Sequence, residues 1–241
     1  MQVSVSYTWS KVIGVCCDAL ADNPPAIQAL PYFALNRAVM GFDRTHNFNT
    51  SFVIEAPFGK GKRYWNTGGL RSALAGGWQM NGLLSVYSGS PFSVSASGTS
   101  LNMVGSTQRA DQIKPKVEIF GNKGPGQSYF DPLAFAPVTE ARFGNFGFNR
   151  MRGPGVRNFD FSLFRQFRLS ERWKMQFRAE VFNLTNTPHF ANPGANVSNL
   201  QLNPDGSIRN LGGFSSITGI RNTGREGLDE RVFRFGLRFS F

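Results

Sequence analysis

The chain has 241 residues and only 17 % charged side chains, yet 26 Lys and Arg against 15 Asp and Glu give it a net charge of +11. Its 24 Phe exclude intrinsic disorder, which lacks aromatics, and its 27 Gly and 13 Pro argue against a helical bundle. Two adjacent cysteines, Cys16 and Cys17, cannot staple a fold of this size, and no apolar run reaches the ~18 residues of a membrane-crossing helix.

The first residues lack the basic start of a secretory leader and alternate instead: Val3, Val5, Tyr7 and Trp9 against Gln2, Ser4, Ser6, Thr8 and Ser10. The chain is therefore expected either to stay in the cytoplasm or, as the rest of the pattern favours, to be part of something longer. A second period-2 run over 46–57 sets Phe48, Phe52 and Ile54 against Asn47, Asn49, Ser51 and Glu55, with Val53 out of pattern. Residues Pro57 to Arg63 read as a turn, and Gly69 to Ala75 as a helical turn before the third run. That run, over 77–92, alternates Trp78, Met80, Leu84 and Val86 with Gln79, Asn81 and Ser85, while Leu83 and Tyr87 break the polarity.

The fourth run, 156–169, carries Phe159, Phe161, Leu163, Phe167 and Leu169 against Asn158, Asp160, Ser162, Gln166 and Arg168. Arg165 falls on its apolar phase and Phe164 on its polar one. An Arg facing lipid at mid-membrane costs ~2–4 kcal/mol, so Arg165 is expected either to reach the interface or to be re-phased by a bulge. The fifth run, 173–185, alternates Trp173, Met175, Phe177, Ala179 and Val181 with Lys174, Gln176, Arg178 and Glu180. The last, 231–241, sets Phe233, Phe235, Leu237, Phe239 and Phe241 against Arg234, Gly236, Arg238 and Ser240.

Each run is about ten residues, the length a tilted strand needs to cross an outer-membrane hydrocarbon layer. Aromatics at run ends (Tyr7, Trp9, Trp78 and Trp173) and full charges on the opposite face favour a lipid-facing sheet over a soluble β-sandwich. Long connections at 11–44, 93–155 and 186–230 alternate with shorter ones, as outer loops and periplasmic turns do. The fold expected is all-β: six strands of an antiparallel, up-and-down transmembrane β-barrel, located in the outer membrane of a Gram-negative-type bacterium. Single-chain barrels begin at about eight strands, so these six are expected to belong to a larger barrel.

Arg178, Glu180, Arg234 and Arg238 are the candidate lumen-facing residues. The Gly-, Ser-, Asn- and Pro-rich outer loops, such as Ser95 to Ser106 and Asn192 to Asn222, read mainly as flexible surface. No catalytic constellation is present: Gly59-Lys60-Gly61-Lys62 lacks the spacing and hydroxyl of a phosphate-binding loop, and an enzyme is not expected. His46 and His189 read as lone histidines at strand edges, and no metal or other cofactor is expected. The basic charge raises nucleic-acid binding as a rival, but aromatics and arginines occupy opposite faces, whereas a stacking groove needs them together.

Several segments resemble the C-terminal barrel of TonB-dependent outer-membrane receptors, closest to the Oar-like branch that often carries an N-terminal carboxypeptidase-regulatory-like module. They are Phe42-Asp43-Arg44-Thr45-His46, Ala56-Pro57-Phe58-Gly59-Lys60-Gly61-Lys62, Gly76-Gly77-Trp78-Gln79, the stretch from Arg152-Gly153-Pro154-Gly155 to Asp160, Phe177 to Asn186, and the terminal Phe241. The resemblance implies a barrel of about 22 strands, an N-terminal plug and energisation by TonB through a part this chain lacks. It implies lipid, the remainder of the barrel and plug, and the barrel-assembly machinery as partners, with Phe233, Phe235, Phe239 and Phe241 as the assembly signal. The function implied is uptake of a scarce solute: an oligosaccharide, peptide, metal chelate or vitamin. The alternatives are a passive channel or adhesive barrel, and a soluble basic β-sheet protein binding nucleic acid.

Overall fold

The computed structural model describes residues 1–15, 26–67, 69–103, 106–221 and 230–241; the Cys16–Cys17 pair lies outside them. Six strands form one sheet in plain sequence order: β1 (Gln2–Trp9), β2 (His46–Glu55), β3 (Trp78–Tyr87), β4 (Val156–Arg168), β5 (Lys174–Phe182) and β6 (Val232–Ser240). Every neighbouring pair is antiparallel, and β1 and β6 each pair on one side only. A short α-helix, α1 (Leu70–Ala75), sits between β2 and β3, and the described residues contain no helix long and apolar enough to cross a membrane.

The register carries one chemical face across the whole sheet. Val3 pairs with Phe52, which faces Gly82; Gly82 faces Phe161, Phe161 faces Val181, and Val181 faces Phe233. In one direction the next row runs from Val5 through Thr50 and Leu84 to Phe159, and the one beyond it pairs Phe48 with Val86; in the other direction the next row runs from Ile54 through Met80, Leu163 and Ala179 to Phe235. Because strand side chains alternate strictly, one uninterrupted ladder keeps the in-phase apolar positions of successive strands on the same side. That side is bare: Val5 is 63 % exposed and Phe235 72 %.

Two strands end earlier than their sequence patterns predict. The third stops at Tyr87, and Pro91–Phe92 pairs with Met151–Arg152 in a separate ribbon. Between them Gly89 lies against the backbone of Gly153, where an added Cβ would sit 1.8 Å from the carbonyl oxygen, so the chain can leave the sheet here only with glycine. The fifth stops at Phe182 because Asn183 takes a left-handed conformation (φ 48°) and its side chain accepts the Thr187 N–H at 3.0 Å.

The hydrophobic core is in the long loops, not on the sheet. Phe92, Val94, Ala96, Phe130, Phe135, Phe146, Val197, Phe214 and Ile217 form one buried cluster. Phe130 packs edge-on to Phe135 at 5.7 Å and to Phe214 at 5.3 Å, and Phe135 does the same to Phe146 at 4.9 Å. The second and third loops interlock through their backbones: Ser95 N–H donates to Ala195 O (2.8 Å), and Tyr129 N–H to Ser215 O (2.6 Å). The expectation of mainly flexible surface is thus overturned for the second loop and for the described part of the third. Isolated Phe residues at irregular spacing, drawn from separate loops, bury one another into a cap.

Phe130 has no exposed surface, so Phe130→Ala should cost the cap about 3–5 kcal/mol. Limited trypsin digestion of outer-membrane vesicles should then cut the second loop rapidly while the strands remain protected. Equal protection of variant and wild type would show that this cluster does not hold the cap.

Candidate functional site

The structure divides the functional surfaces into a wall, a clasp and a cap. The wall is the sheet. On its polar side β5 and β6 bring Glu180 opposite Arg234, Arg178 opposite Gly236 and Gln176 opposite Arg238. All four charged residues named from the sequence therefore share one face, opposite Phe233, Phe235, Leu237 and Phe239. Two of the aromatics out of phase are covered by these arginines: Arg178 lies 5.1 Å over the Phe164 ring and Arg234 5.1 Å over Phe182. Around them the polar side is stitched by amide and hydroxyl contacts, such as Asn81 Nδ2 to Ser162 Oγ at 3.3 Å and Arg178 Nε to Gln176 Oε1 at 2.9 Å.

Arg165 stays on the apolar face, since the β3–β4 and β4–β5 registers pass through it without a bulge. It reaches the membrane edge instead. Its Nη1 donates to the Leu74 carbonyl of α1 at 2.8 Å, and its guanidinium lies over the Trp78 and Phe167 rings at 5.1 and 4.4 Å. Arg157, eight residues earlier on the same phase, marks the opposite edge. Eight residues span about 27 Å along a strand, or ~20 Å of depth at a tilt of ~40°, close to the apolar band of an outer-membrane barrel. Between them this strand presents only Phe159, Phe161 and Leu163 outward. Trp78 contacts Phe177, and Trp173 contacts Phe241, so the short-turn edge carries an aromatic belt.

The clasp is where the chain leaves the sheet for the loops. Asp43 and Arg152, 109 residues apart, meet at 2.6 Å, and Arg152 also donates to the Gly89 carbonyl at 3.1 Å. Asp43 is fully buried and accepts the Val12 N–H and the Thr45 hydroxyl, both at 2.9 Å. Burial alone would raise its pKa. The hydrogen bonds from Arg152, Val12 and Thr45, with the Arg152 charge, outweigh that and hold the carboxyl below the usual carboxylate range. A second clasp joins β4 to the end of β5, where Asp160 Oδ1 accepts the Asn183 N–H and the Asn158 amide, both at 2.9 Å.

Both histidines hydrogen-bond to neighbouring groups. His46 Nδ1 bonds the Tyr7 hydroxyl at 2.9 Å, and the described residues contain no group of three or more His, Cys, Asp and Glu suited to a metal ion. His189 is not at a strand edge, as its sequence position had indicated, but buried in the cap with Nε2 2.9 Å from the Arg157 carbonyl. Gly59-Lys60-Gly61-Lys62 is a turn, with Gly59 and Gly61 at positive φ and Lys62 paired to Glu55 at 2.6 Å.

A sheet with one lipid-facing side, an aromatic belt, a polar opposite side and long loops gathered at one end defines a segment of transmembrane β-barrel. The chain belongs to the family described as the outer membrane beta barrel domain, which it matches over residues 1–228. It is accordingly a protein of the cell outer membrane. No curated protein and no solved structure matches it.

Arg152→Ala leaves Asp43 buried without its cation. With the guanidinium 34 % exposed, the loss should be about 2–3 kcal/mol, less than for a fully buried pair, and trypsin should enter the cap. Because the Asp43 pKa is depressed in the folded protein, its contribution is present above the unfolded value of ~3.9 and lost as pH falls through the lower folded one. Acid-stable protease readout should show protection retained from neutral pH to about 4 and lost below it. Asp43→Asn should blunt that acid step, leaving the share of Asp111, which Arg142 holds low in the same manner. An unchanged acid profile in Asp43→Asn would rule the clasp out as its source.

Proposed function

We propose that this chain forms part of the wall and outer cap of a TonB-dependent transporter of the Oar-like branch, importing a scarce solute. It acts as a transport and binding protein, not as an enzyme. The observation that carries this reading is the clasp: two segments on which the resemblance rests, Phe42 to His46 and Arg152 to Asp160, come together through Asp43 and Arg152. The open sheet supports it too, since β1 and β6 each leave one edge of unpaired backbone groups, which closure with further strands of a larger barrel would satisfy. Arg178, Glu180, Arg234 and Arg238 then line the lumen against the plug.

Energy coupling separates this reading from a passive channel. Cells lacking the gene and cells lacking TonB should share one growth defect when an oligosaccharide, a peptide, a metal chelate or a vitamin is made limiting in turn. Normal growth of the TonB-deficient cells on the solute that the gene deletion fails to use would favour the passive channel.

The last strand is, on the same reading, the part presented to the barrel-assembly machinery, with Phe233, Phe235, Phe239 and Phe241 as its signal. Phe241 is 94 % exposed and touches only the Trp173 ring among the aromatics. Deleting Phe241 should lower the amount of protein inserted in cells several-fold, while refolding of the purified chain into detergent micelles stays unchanged. Equal loss in both assays would make Phe241 a folding residue and not a signal.

A further inference from the structure

A cavity of about 1020 Å³ lies at the capped end between the start of the first loop, the Phe143–Arg150 stretch of the second, and the clasp. Five cations line it: Lys11, Arg37, Arg109, Arg150 and Arg152; no Asp or Glu does. Among the described residues only Arg152 of the five has a carboxylate partner, Asp43. Trp9, Phe143 and Phe148 supply its apolar surface, and Tyr32 backs Phe143 edge-on at 5.1 Å.

Arg109 is the anomaly. It is 5 % exposed, yet among the described residues its only side-chain hydrogen-bond partner is the neutral Asn36 Oδ1, at 3.3 Å from Nη2. Its Nε is buried with no partner, and its guanidinium rests 5.6 Å from the Phe148 ring centroid. Arg does not give up its proton in proteins, so a buried guanidinium without a countercharge is a standing electrostatic cost to the fold. The neighbourhood keeps it there. Gly144 packs so close that an added Cβ would lie 2.3 Å from the Arg109 carbonyl oxygen, and the Arg109 N–H donates to Gln108 Oε1 at 2.8 Å. Asn36 is itself fixed by two bonds to the Ile27 backbone, at 3.0 and 2.7 Å. A rigid, desolvated guanidinium at a roomy cavity, with three further cations that have no carboxylate partner among the described residues, is a site organised for negative charge before any ligand arrives.

We propose that this cavity binds an anionic group, a phosphate or carboxylate, carried on a planar or apolar body. The anion pairs with the Arg109 guanidinium where it lines the cavity, with Lys11, Arg37 and Arg150 closing around it. The body stacks against Trp9, Phe143 and Phe148. The inference does not depend on TonB coupling, because it concerns binding at the outer face alone. Two sources carry this chemistry there: a soluble anionic solute, and the phosphorylated headgroup of an outer-leaflet lipid, which Trp9 on the lipid-facing side of β1 would meet first.

The test is calorimetric titration of the full chain, purified from outer membranes in zwitterionic detergent, with phenyl phosphate, inorganic phosphate and phenol. Phenyl phosphate should bind saturably, inorganic phosphate more weakly, and phenol not at all. The exposed pair Arg37→Glu with Arg150→Glu should weaken phenyl phosphate about tenfold or more, with trypsin protection of the cap unchanged. Arg109→Gln should weaken it as well, and the surface pair keeps the test valid should that buried variant misfold. Repeating the titration in nanodiscs containing lipid A identifies the source: competition with phenyl phosphate assigns the site to lipid headgroups, and its absence assigns it to a soluble anion. No saturable binding of either phosphate, or binding unaltered in the double variant, overturns the proposal.

Discussion

Inside a bilayer there is no water to satisfy a peptide group, so each N–H and C=O of a membrane-crossing strand must find a partner in a neighbouring strand. The rest of this protein depends on that constraint. It requires an unbroken ladder, and an unbroken ladder with a side-chain period of two forces a single choice of face for the whole sheet. A one-residue slip anywhere between β1 and β6 would carry Phe to the water side and Arg to the lipid side in every strand beyond it. The β4 register shows how firmly this holds. It keeps Arg165 on the lipid side rather than inserting a bulge, and the long side chain resolves the conflict by bonding the Leu74 carbonyl at the membrane edge.

The same constraint explains why irregular structure begins abruptly at the strand ends. Once the chain reaches water its backbone groups need no ladder, and turns, short ribbons and buried side-chain acceptors take over. Asp43 is the clearest instance. It joins the start of the first loop through the Val12 N–H to the entry of β4 through Arg152, and Arg152 in turn holds the Gly89 carbonyl where β3 has just ended. Three exits from the sheet are thereby fixed relative to one another. A cap built on those exits can be rigid although it contains almost no regular secondary structure.

The wall was legible in the residues because its signal is local: alternation in a window of ten is enough to place β6 and to set Arg234 and Arg238 opposite Phe233 and Phe235. Strand ends were less so, because Tyr87 and Phe182 are followed by residues whose turning depends on distant partners, Gly153 for Gly89 and Thr187 for Asn183. The cap could not be read at all. Phe92, Phe130, Phe135, Phe146 and Phe214 stand among Gly, Ser and Asn without period, and what makes them a core is their convergence from different loops. Arg109 was missed for the same reason: in sequence it is one Arg among many, and only burial without a carboxylate sets it apart.

The excess of positive charge therefore has two physical origins that composition merges. On the wall, arginines are held where water or a polar lumen can solvate them, and several spend part of their charge on aromatic rings: Arg178 on Phe164 and Arg234 on Phe182. Such cations are stable as they stand. At the cap, Arg109 is withdrawn from water and has no carboxylate partner among the described residues, where Asp43 is committed to Arg152 and Asp111 to Arg142. Folding alone would favour replacing such a residue with an apolar one of similar volume, which removes the desolvation cost. A buried cation that stability does not account for, beside space enough for a ligand, is most economically explained by what it binds.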